Sequence, residues 1–90
     1  MRFEWDARKA AEKVLKHGVD FDEACTVFAD SLSATGRDLD PSGGEVRYVT
    51  FGLSIRGRVL AVCHTDRGGL IRIISARLAT RKEKRIYEES

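Results

Sequence analysis

The sequence contains no long hydrophobic run. Among its 90 residues no apolar stretch approaches the roughly 20 that a membrane-spanning helix needs. The first nine residues, MRFEWDARK, also lack the apolar segment of a secretory signal peptide. We therefore expect a cytoplasmic protein that has no membrane partner.

Cysteine is scarce, because Cys25 and Cys63 are the only two in the chain. They are too few and too far apart for a zinc-site spacing, and no cluster of carboxylates indicates another metal site. In a reducing compartment two such cysteines are typical of small buried hydrophobic residues rather than of a disulfide. The sequence therefore predicts neither a metal nor a cofactor.

The remaining composition, 42% apolar and 33% charged, is that of one globular domain spanning residues 1–90. The net charge of +2 conceals an asymmetry along the chain. Residues 20–45 contain seven acids and one arginine, whereas residues 56–85 contain nine basic residues and two acids. This asymmetry favours one face suited to a polyanion, although two segments that face each other, or a mixed solvated surface, would give the same pattern.

Two helices are predicted in the N-terminal part. Asp6 is a typical N-cap, an apolar side including Val14 and Leu15 follows at helical spacing, and Gly18 is placed to end the helix. Asp20, with Glu23 three residues later, resembles a capping box at the start of a second, short helix.

The rest of the chain has mainly the pattern of strands. Apolar residues predict three strands joined by short glycine-containing turns, and hence an antiparallel meander, which the N-terminal strand extends. The ranges are 45–53, 59–65 and 70–76 for the meander, 3–5 for the N-terminal strand, and a possible short strand near 31–35 within the loop 29–44. Thr80 and Glu83 form a second capping box, which predicts a final helix through about Glu89.

Alternation assigns the side chains of the last strand to two faces. Ile71, Ile73 and Ser75 share the expected core face, and Arg72 lies on the opposite face. The same alternation in the preceding strand places His64 near the basic residues, although a lone histidine at a strand end is more often structural than catalytic.

The stretch Leu70–Tyr87 concentrates basic residues, and Glu83 is its only acid. Its cations are Arg72, Arg77, Arg81, Lys82, Lys84 and Arg85. Cations in the first turn of a helix cost about 0.3–1 kcal/mol relative to acids, so an anion is expected there. A phosphate held by the helix start and by Arg77 and Arg81 satisfies this expectation. The alternative is a solvated basic helix whose arginines pair with nearby glutamates.

Several motifs together resemble the BrnT family of bacterial toxins. They are Phe3-Glu4-Trp5-Asp6, Lys16-His17-Gly18-Val19, Glu45-x-Arg47, Gly52, and Arg72-Ile73-Ile74-Ser75-Ala76-Arg77 with Glu83 and Tyr87. The resemblance extends from residue 3 to residue 89. Two positions depart from it, because the family commonly has Asn at the position of Lys13 and Tyr or a similar residue at that of His64.

The resemblance implies a small RelE-like α+β fold, with an antiparallel meander packed against two N-terminal helices and a C-terminal helix. It implies a metal-independent endoribonuclease toxin of a type II toxin-antitoxin system, which inhibits translation by cleaving RNA. The implied partner is a BrnA-like ribbon-helix-helix antitoxin in a hetero-oligomer, which alone contacts DNA. The alternative function is a non-catalytic nucleic-acid-binding or regulatory module.

RNA cleavage of this kind needs a base, a leaving-group acid and cations at the phosphate. On this chemistry we expect Arg72, Arg77 and Arg81 to stabilise the phosphate. Glu83 or His17 is the expected base, with Tyr87 in proton transfer or base stacking. Each assignment has an alternative, since Glu83 can be the capping partner of Thr80 and His17 can interact with the helix dipole. Further RNA contacts are expected from Lys16, Arg67, Lys82, Lys84 and Arg85.

Overall fold

The computed structural model describes residues 1–38 and 46–89, which form an α+β fold with a five-stranded mixed sheet. The strands are β1 (Arg2–Glu4), β2 (Ala34–Arg37), β3 (Tyr48–Leu53), β4 (Val59–Arg67) and β5 (Leu70–Leu78). The helices are α1 (Ala7–His17), α2 (Phe21–Thr26) and α3 (Arg81–Glu89), and a 3₁₀ turn covers Val27–Ala29. None of the helices in these ranges is long and apolar enough to cross a membrane.

The strand order in the sheet is β1-β5-β4-β3-β2. Strands β3, β4 and β5 form the predicted antiparallel meander, and β1 joins it by parallel pairing with β5. The short strand predicted near 31–35 is present as β2, a few residues further along, and pairs antiparallel with β3. The first residue of the predicted strand 45–53 and most of the second half of the predicted loop 29–44 lie outside the described residues.

The hairpin between β4 and β5 is tighter than the sequence pattern predicts. Gly68 and Gly69 have φ of 57° and 89°, values that glycine adopts without strain. A two-residue turn with both φ values positive matches the twist of antiparallel strands, so pairing continues to Arg67 and Leu70.

The predicted helix ends are confirmed. The Asp6 carboxylate accepts hydrogen bonds from the N–H groups of Arg8 (2.9 Å) and Lys9 (3.2 Å), and Gly18 ends α1 with φ 71°. At the start of α3 the Thr80 N–H donates to Glu83 Oε1 (2.9 Å), and the Glu83 N–H donates to Thr80 Oγ1 (3.2 Å). This reciprocal pair is the predicted capping box.

The predicted apolar face of α1 is wrong. Leu15 is 88% exposed, and no residue of α1 is fully buried. Ala10 packs against the core, while Lys13 and His17 are half-buried. These three residues follow the i, i+3, i+7 spacing of one helix face, and Leu15 lies almost opposite to it. The inner face of α1 is therefore partly cationic.

The hydrophobic core lies on one face of the sheet. Val19, Phe21, Ala24 and Val27, from the α2 region, pack on Leu60, Val62, Ile73 and Ala76 of the two central strands. Gly52 of β3 permits the close approach, because a Cβ built there would lie 2.9 Å from Val27 Cβ. Packing of α2 and the 3₁₀ turn thus covers one face of the sheet, and Ala10 of α1 packs against the same core.

A β-bulge changes the faces of β5. Cys63 pairs with Ser75 and His64 pairs with Ile73, so Ile74 is an extra residue. The predicted core face is right for Ile73 and wrong for Ser75, because the extra residue turns Ser75 to the opposite face and places Ala76 in the core.

The bulge also overturns the expectation that His64 lies near the basic residues. His64 faces the core, is 5% exposed, and contacts Phe28 with ring centroids 4.9 Å apart. Its Nε2 lies 2.8 Å from Thr50 Oγ1, and burial lowers the pKa of His64, so the ring is neutral. Arg72 instead pairs with Thr65 on the opposite face.

Candidate functional site

A cleft of about 380 Å³ opens on the sheet face opposite the core. Its floor is apolar or small, and consists of Val49, Ala61, Cys63, Ile74 and Ser75. Its four charged residues are Lys13, Asp38, Arg47 and Arg77. We call this site, defined by the four charged residues, the cationic cleft.

Strand register explains how the floor and Arg77 come together. Val49, Cys63 and Ser75 are paired across β3, β4 and β5, and Ala61 is paired with Arg77 one step further along. Paired residues of adjacent strands point to the same face, so the side chain of Arg77 stands beside this floor.

The other charged residues reach the cleft from separate parts of the chain. Lys13 comes from the inner face of α1, and Asp38 and Arg47 come from the two ends of the segment between β2 and β3. The Asp38 N–H donates to the Arg47 carbonyl at 2.8 Å, which continues the pairing of β2 with β3. The cleft is thus assembled by tertiary structure.

Glu83 holds Arg77 through two parallel hydrogen bonds. Arg77 Nη1 lies 2.6 Å from Oε1 and Nη2 lies 2.9 Å from Oε2. The bond from Arg77 is the main cause that lowers the pKa of Glu83 to about 2, with a further contribution from the Thr80 N–H. Glu83 is therefore ionised at neutral pH and is a weak proton acceptor. Its geometry fixes the arginine and caps α3 at the same time.

Lys13 and Arg47 have no such partner. Within the part of the chain that the structure describes, no carboxylate lies within 4.0 Å of either side chain, and Arg47 Nε is buried without a hydrogen-bond partner. Asp38 is the one carboxylate among the described lining residues, and its Oδ2 lies 4.0 Å from Cys63 Sγ. Burial, followed by the nearby Asp38, raises the pKa of Cys63, so the thiol stays protonated.

His17, at the end of α1, is within electrostatic reach of the cleft. Loss of hydration, followed by the charges of Lys16, Lys13 and Arg77, lowers its pKa. The imidazole is therefore neutral at pH 7 and can accept a proton. A neutral ring interacts only weakly with the helix dipole. This weakens the alternative role of His17 that the sequence left open, a cation at the C-terminal end of α1.

Other predicted site residues lie elsewhere. Arg72 Nη1 is 3.7 Å from Glu4 Oε1, and the five residues that separate it from Arg77 correspond to about 16 Å of strand. The Tyr87 hydroxyl donates to Asp30 Oδ2 at 2.6 Å, which raises the pKa of Tyr87 and lowers that of Asp30.

The remaining predicted cations are exposed. Those on the outside of α3 are Arg81, Lys82, Lys84 and Arg85, and Lys16 and Arg67 are exposed on α1 and at the β4–β5 turn. The structure thus pairs Arg77 with Glu83 and leaves His17 within electrostatic reach of Arg77, whereas Arg72 and Tyr87 have partners elsewhere.

Sequence reasoning missed Lys13, Asp38 and Arg47. Lys13 shares a helix face with Ala10 and His17. This spacing is visible in the sequence, but the apolar side chains of Val14 and Leu15 led to the prediction of a different buried face. Arg47 is two residues before Val49, so strand alternation assigns both to one face. No local pattern connects either residue to Arg77.

The described residues offer little to a metal ion, since residues 1–38 and 46–89 contain no group of three or more His, Cys, Asp or Glu side chains that could hold one. The ionisable groups around the cleft are mainly cationic, an arrangement suited to anionic oxygen atoms.

Comparison with known proteins identifies a family and a similar solved structure. The family model for BrnT, the ribonuclease toxin of a type II toxin-antitoxin system, matches residues 5–83. The crystal structure of the Brucella abortus ribonuclease toxin BrnT is similar in fold, with a TM-score of 0.64 and 23% sequence identity. That similarity covers 90% of this chain and 99% of the Brucella chain. No curated protein sequence matches the chain.

Proposed function

The chain belongs to the BrnT family of ribonuclease toxins of type II toxin-antitoxin systems, and from this premise we propose that it cleaves RNA at the cationic cleft. The proposed activity is that of a metal-independent endoribonuclease, which acts in the cytoplasm and inhibits translation. One observation carries the choice of site: Glu83 holds Arg77 in a fixed orientation on the wall of a cleft that two further cations line.

Arg77 is suited to stabilise the charge that develops on a phosphate during cleavage. Glu83 takes one N–H from each Nη atom, and Nη1 also donates to the Leu78 carbonyl at 3.3 Å. The Nε–H and the second N–H of Nη2 remain to contact phosphate oxygens. Fixing the guanidinium before the substrate binds lowers the cost of ordering it in the transition state. We assign Arg77 as a catalytic residue and Glu83 as its positioning residue.

The base in this proposal is His17 rather than Glu83. The attacking 2′-hydroxyl must lose a proton, and efficient bases have a pKa near the working pH. Glu83, with a pKa of about 2, is far from this range, whereas His17 has a pKa lowered by loss of hydration and by nearby cations, so its imidazole is neutral at pH 7. Arg72, Arg81 and the exposed cations of α3 lie outside the cleft, where they suit contacts with the RNA strand on either side.

The partner in this proposal is a BrnA-like ribbon-helix-helix antitoxin, which masks the RelE-like toxin in a hetero-oligomer and provides its link to DNA. Family membership supports an antitoxin partner in general. Co-expression with each adjacent gene, followed by pull-down on a tagged toxin, tests this assignment. Failure to co-purify any neighbouring product contradicts it.

The activity itself is tested with purified protein and single-stranded RNA in the presence of EDTA. We expect fragments with 2′,3′-cyclic phosphate ends, and loss of those fragments for Arg77→Ala purified in parallel. If the wild type binds RNA but produces no fragments, the non-catalytic binding module is the right function. Equal cleavage by wild type and Arg77→Ala places the activity elsewhere.

A further inference from the structure

Lys13 and Arg47 are the two cations of the cleft for which the described residues provide no counter-charge within 4.0 Å. Arg77 has Glu83, whereas no described carboxylate lies within 4.0 Å of Lys13 or Arg47. Both side chains are half-buried and line the same cavity, although they belong to elements that are distant in sequence. Folding therefore gathers positive charge at one place.

This arrangement is unfavourable for the free protein. Like charges repel more strongly in a half-buried site than in water, and among the described lining residues three cations border the cavity together with one carboxylate, that of Asp38. The positive potential extends to His17, whose pKa Lys13 and Arg77 help to lower. Among residues 1–38 and 46–89, the free protein gains no ion pair from Lys13 or Arg47 in return.

A second observation indicates what the site lacks. Arg47 Nε is buried and has no hydrogen-bond partner among the described residues. A buried donor without an acceptor is costly, and such exceptions commonly mark a position where a ligand or ion binds. An acceptor that also carries negative charge would satisfy the donor and reduce the repulsion together.

We infer that Lys13 and Arg47 form a phosphate-binding subsite in the cleft, which holds a phosphodiester of the RNA strand beside Arg77. This inference rests on the proposed function for its choice of RNA as the source of the phosphate. Guanidinium and ammonium groups together match a phosphate, since the first donates in a planar fork and the second acts as a point charge. A volume of about 380 Å³ is at the lower end of the 300–1,000 Å³ typical of ligand pockets, and accommodates a small anionic group.

Two probes test the subsite without requiring catalysis. The first is inorganic phosphate, measured by its effect on the thermal unfolding midpoint. The second is a 2′-O-methyl RNA oligonucleotide, which has no attacking hydroxyl and is bound intact. The variants are Lys13→Met and Arg47→Gln, with Lys9→Met on the exposed side of α1 and Arg37→Gln on exposed β2 as matched controls.

We expect each subsite variant to lose most of the rise in melting temperature that phosphate gives the wild type. Without phosphate, their melting temperatures should equal or exceed that of the wild type, because a repulsive charge is gone. Affinity for the oligonucleotide should fall about 10-fold, and the slope of log affinity against log salt should become shallower by about 0.7, the value for one lost phosphate contact on a single strand. The controls should keep the wild-type phosphate response.

The subsite is overturned if both variants show the same phosphate shift and the same salt slope as the controls, or if both melt below the wild type in phosphate-free buffer. Cleavage of unmodified RNA is measured separately. A wild type that binds as expected but leaves unmodified RNA intact contradicts the proposed function and supports the subsite. Cleavage with unchanged oligonucleotide binding in both variants contradicts the subsite alone.

Discussion

Two arginine–glutamate pairs tie helices to the sheet in this protein, and their surroundings differ. In the first, Glu23 of α2 binds Arg58, which precedes β4, through both carboxylate oxygens, and it also accepts a 2.7 Å hydrogen bond from Ser54 Oγ. In the second, Arg77 of β5 binds Glu83 of α3. The Glu23 side chain is only 2% exposed against 19% for Glu83, while the two arginines are similarly exposed, at 34% for Arg58 and 41% for Arg77.

The difference shows how one kind of contact serves two purposes. Glu23 is enclosed, and its pKa is lowered mainly by the Arg58 hydrogen bonds. Arg58 therefore compensates a buried carboxylate charge that would be costly without a partner. In both pairs the glutamate is the more enclosed member, but the arginine of the second pair lines the cleft and keeps donors toward it. The first pair is therefore expected to determine stability and the second to determine activity.

Glu23→Gln should have the largest effect and should break the first pair. Removing one charge from an enclosed pair costs about 3 kcal/mol or more, because the remaining charge loses its partner. Urea denaturation at pH 7 measures the free energy of unfolding, and the exposed neighbour Asp22→Asn is the control, with an expected change within about 0.5 kcal/mol. A loss below about 1 kcal/mol for Glu23→Gln would show that this pair contributes little to stability.

Arg77→Lys should reduce RNA cleavage by about 100-fold, which corresponds to about 2.7 kcal/mol in the barrier. Lysine keeps the charge but cannot donate two parallel hydrogen bonds to Glu83 and also contact phosphate. The unfolding free energy should fall by only about 1 kcal/mol. Single-turnover cleavage rates and urea denaturation on the same samples separate the two effects. A stability loss equal to that of Glu23→Gln contradicts the comparison.

Glu83→Gln should lower the free energy of unfolding at pH 7 by about 1–2 kcal/mol, because glutamine weakens the charged hydrogen bonds with Arg77. Its neutral side-chain oxygen still accepts the capping hydrogen bond from the Thr80 N–H. The folded pKa of about 2 is below the ordinary 4.5. The ionised form thus stabilises the fold above about pH 4.5, and this contribution disappears as the pH falls from 4.5 towards 2.

The wild type and Glu83→Gln should therefore differ in stability at pH 7 and converge near pH 2–3. Urea titrations at several pH values measure this convergence. The exposed Glu88→Gln, also on α3, is the matched control and should follow the wild type at every pH. A constant difference between wild type and Glu83→Gln at all pH values would exclude the charge of Glu83 as its cause.

Tyr87→Phe should have the smallest effect, a loss of about 1 kcal/mol from the missing hydrogen bond to Asp30. This bond holds α3 against the end of β3, because Asp30 Oδ2 also accepts from the Leu53 N–H at 2.9 Å. Cleavage should stay within about 3-fold of wild type. A drop of 100-fold with intact stability would instead support the proton-transfer role that the sequence suggested for Tyr87.

The parts of the fold that follow from local chemistry were predictable from the sequence. The caps at Asp6, Gly18 and Thr80 and the meander of β3, β4 and β5 depend on residues close to one another in the chain. Asp20 illustrates the limit of such reasoning. Its carboxylate accepts from the Glu23 N–H at 2.6 Å, as a capping box requires, but the Glu23 side chain turns away to Arg58. The contact with Arg58, which is distant in sequence, thus replaces the side-chain hydrogen bond that Glu23 would make in a capping box.

The site was predictable only in part, for the same reason. Arg77 and Glu83 are six residues apart and belong to one motif, but the sequence suggested Glu83 as a base or as the cap of Thr80, and arginine–glutamate pairing only as an alternative. Lys13 and Arg47 reach the cleft through the packing of α1 on β5 and the pairing of β3 with β4, which no sequence window contains. The assignment of His64 failed because one unpaired residue in β5 changes the alternation, and no residue type at Ile74 signals a bulge.

Ile74, the unpaired residue of the β-bulge, makes β5 one residue longer than regular pairing with β4 requires. Deletion of Ile74 would therefore leave Ser75 opposite Cys63 and Arg77 opposite Ala61, so that Arg77 would stay on the cleft face of a regular strand. Deletion of one paired residue between Ile74 and Arg77 would instead move Arg77 to the core face. Relatives that lack the residue at the position of Ile74 should accordingly keep the cleft arginine on the same face of the sheet.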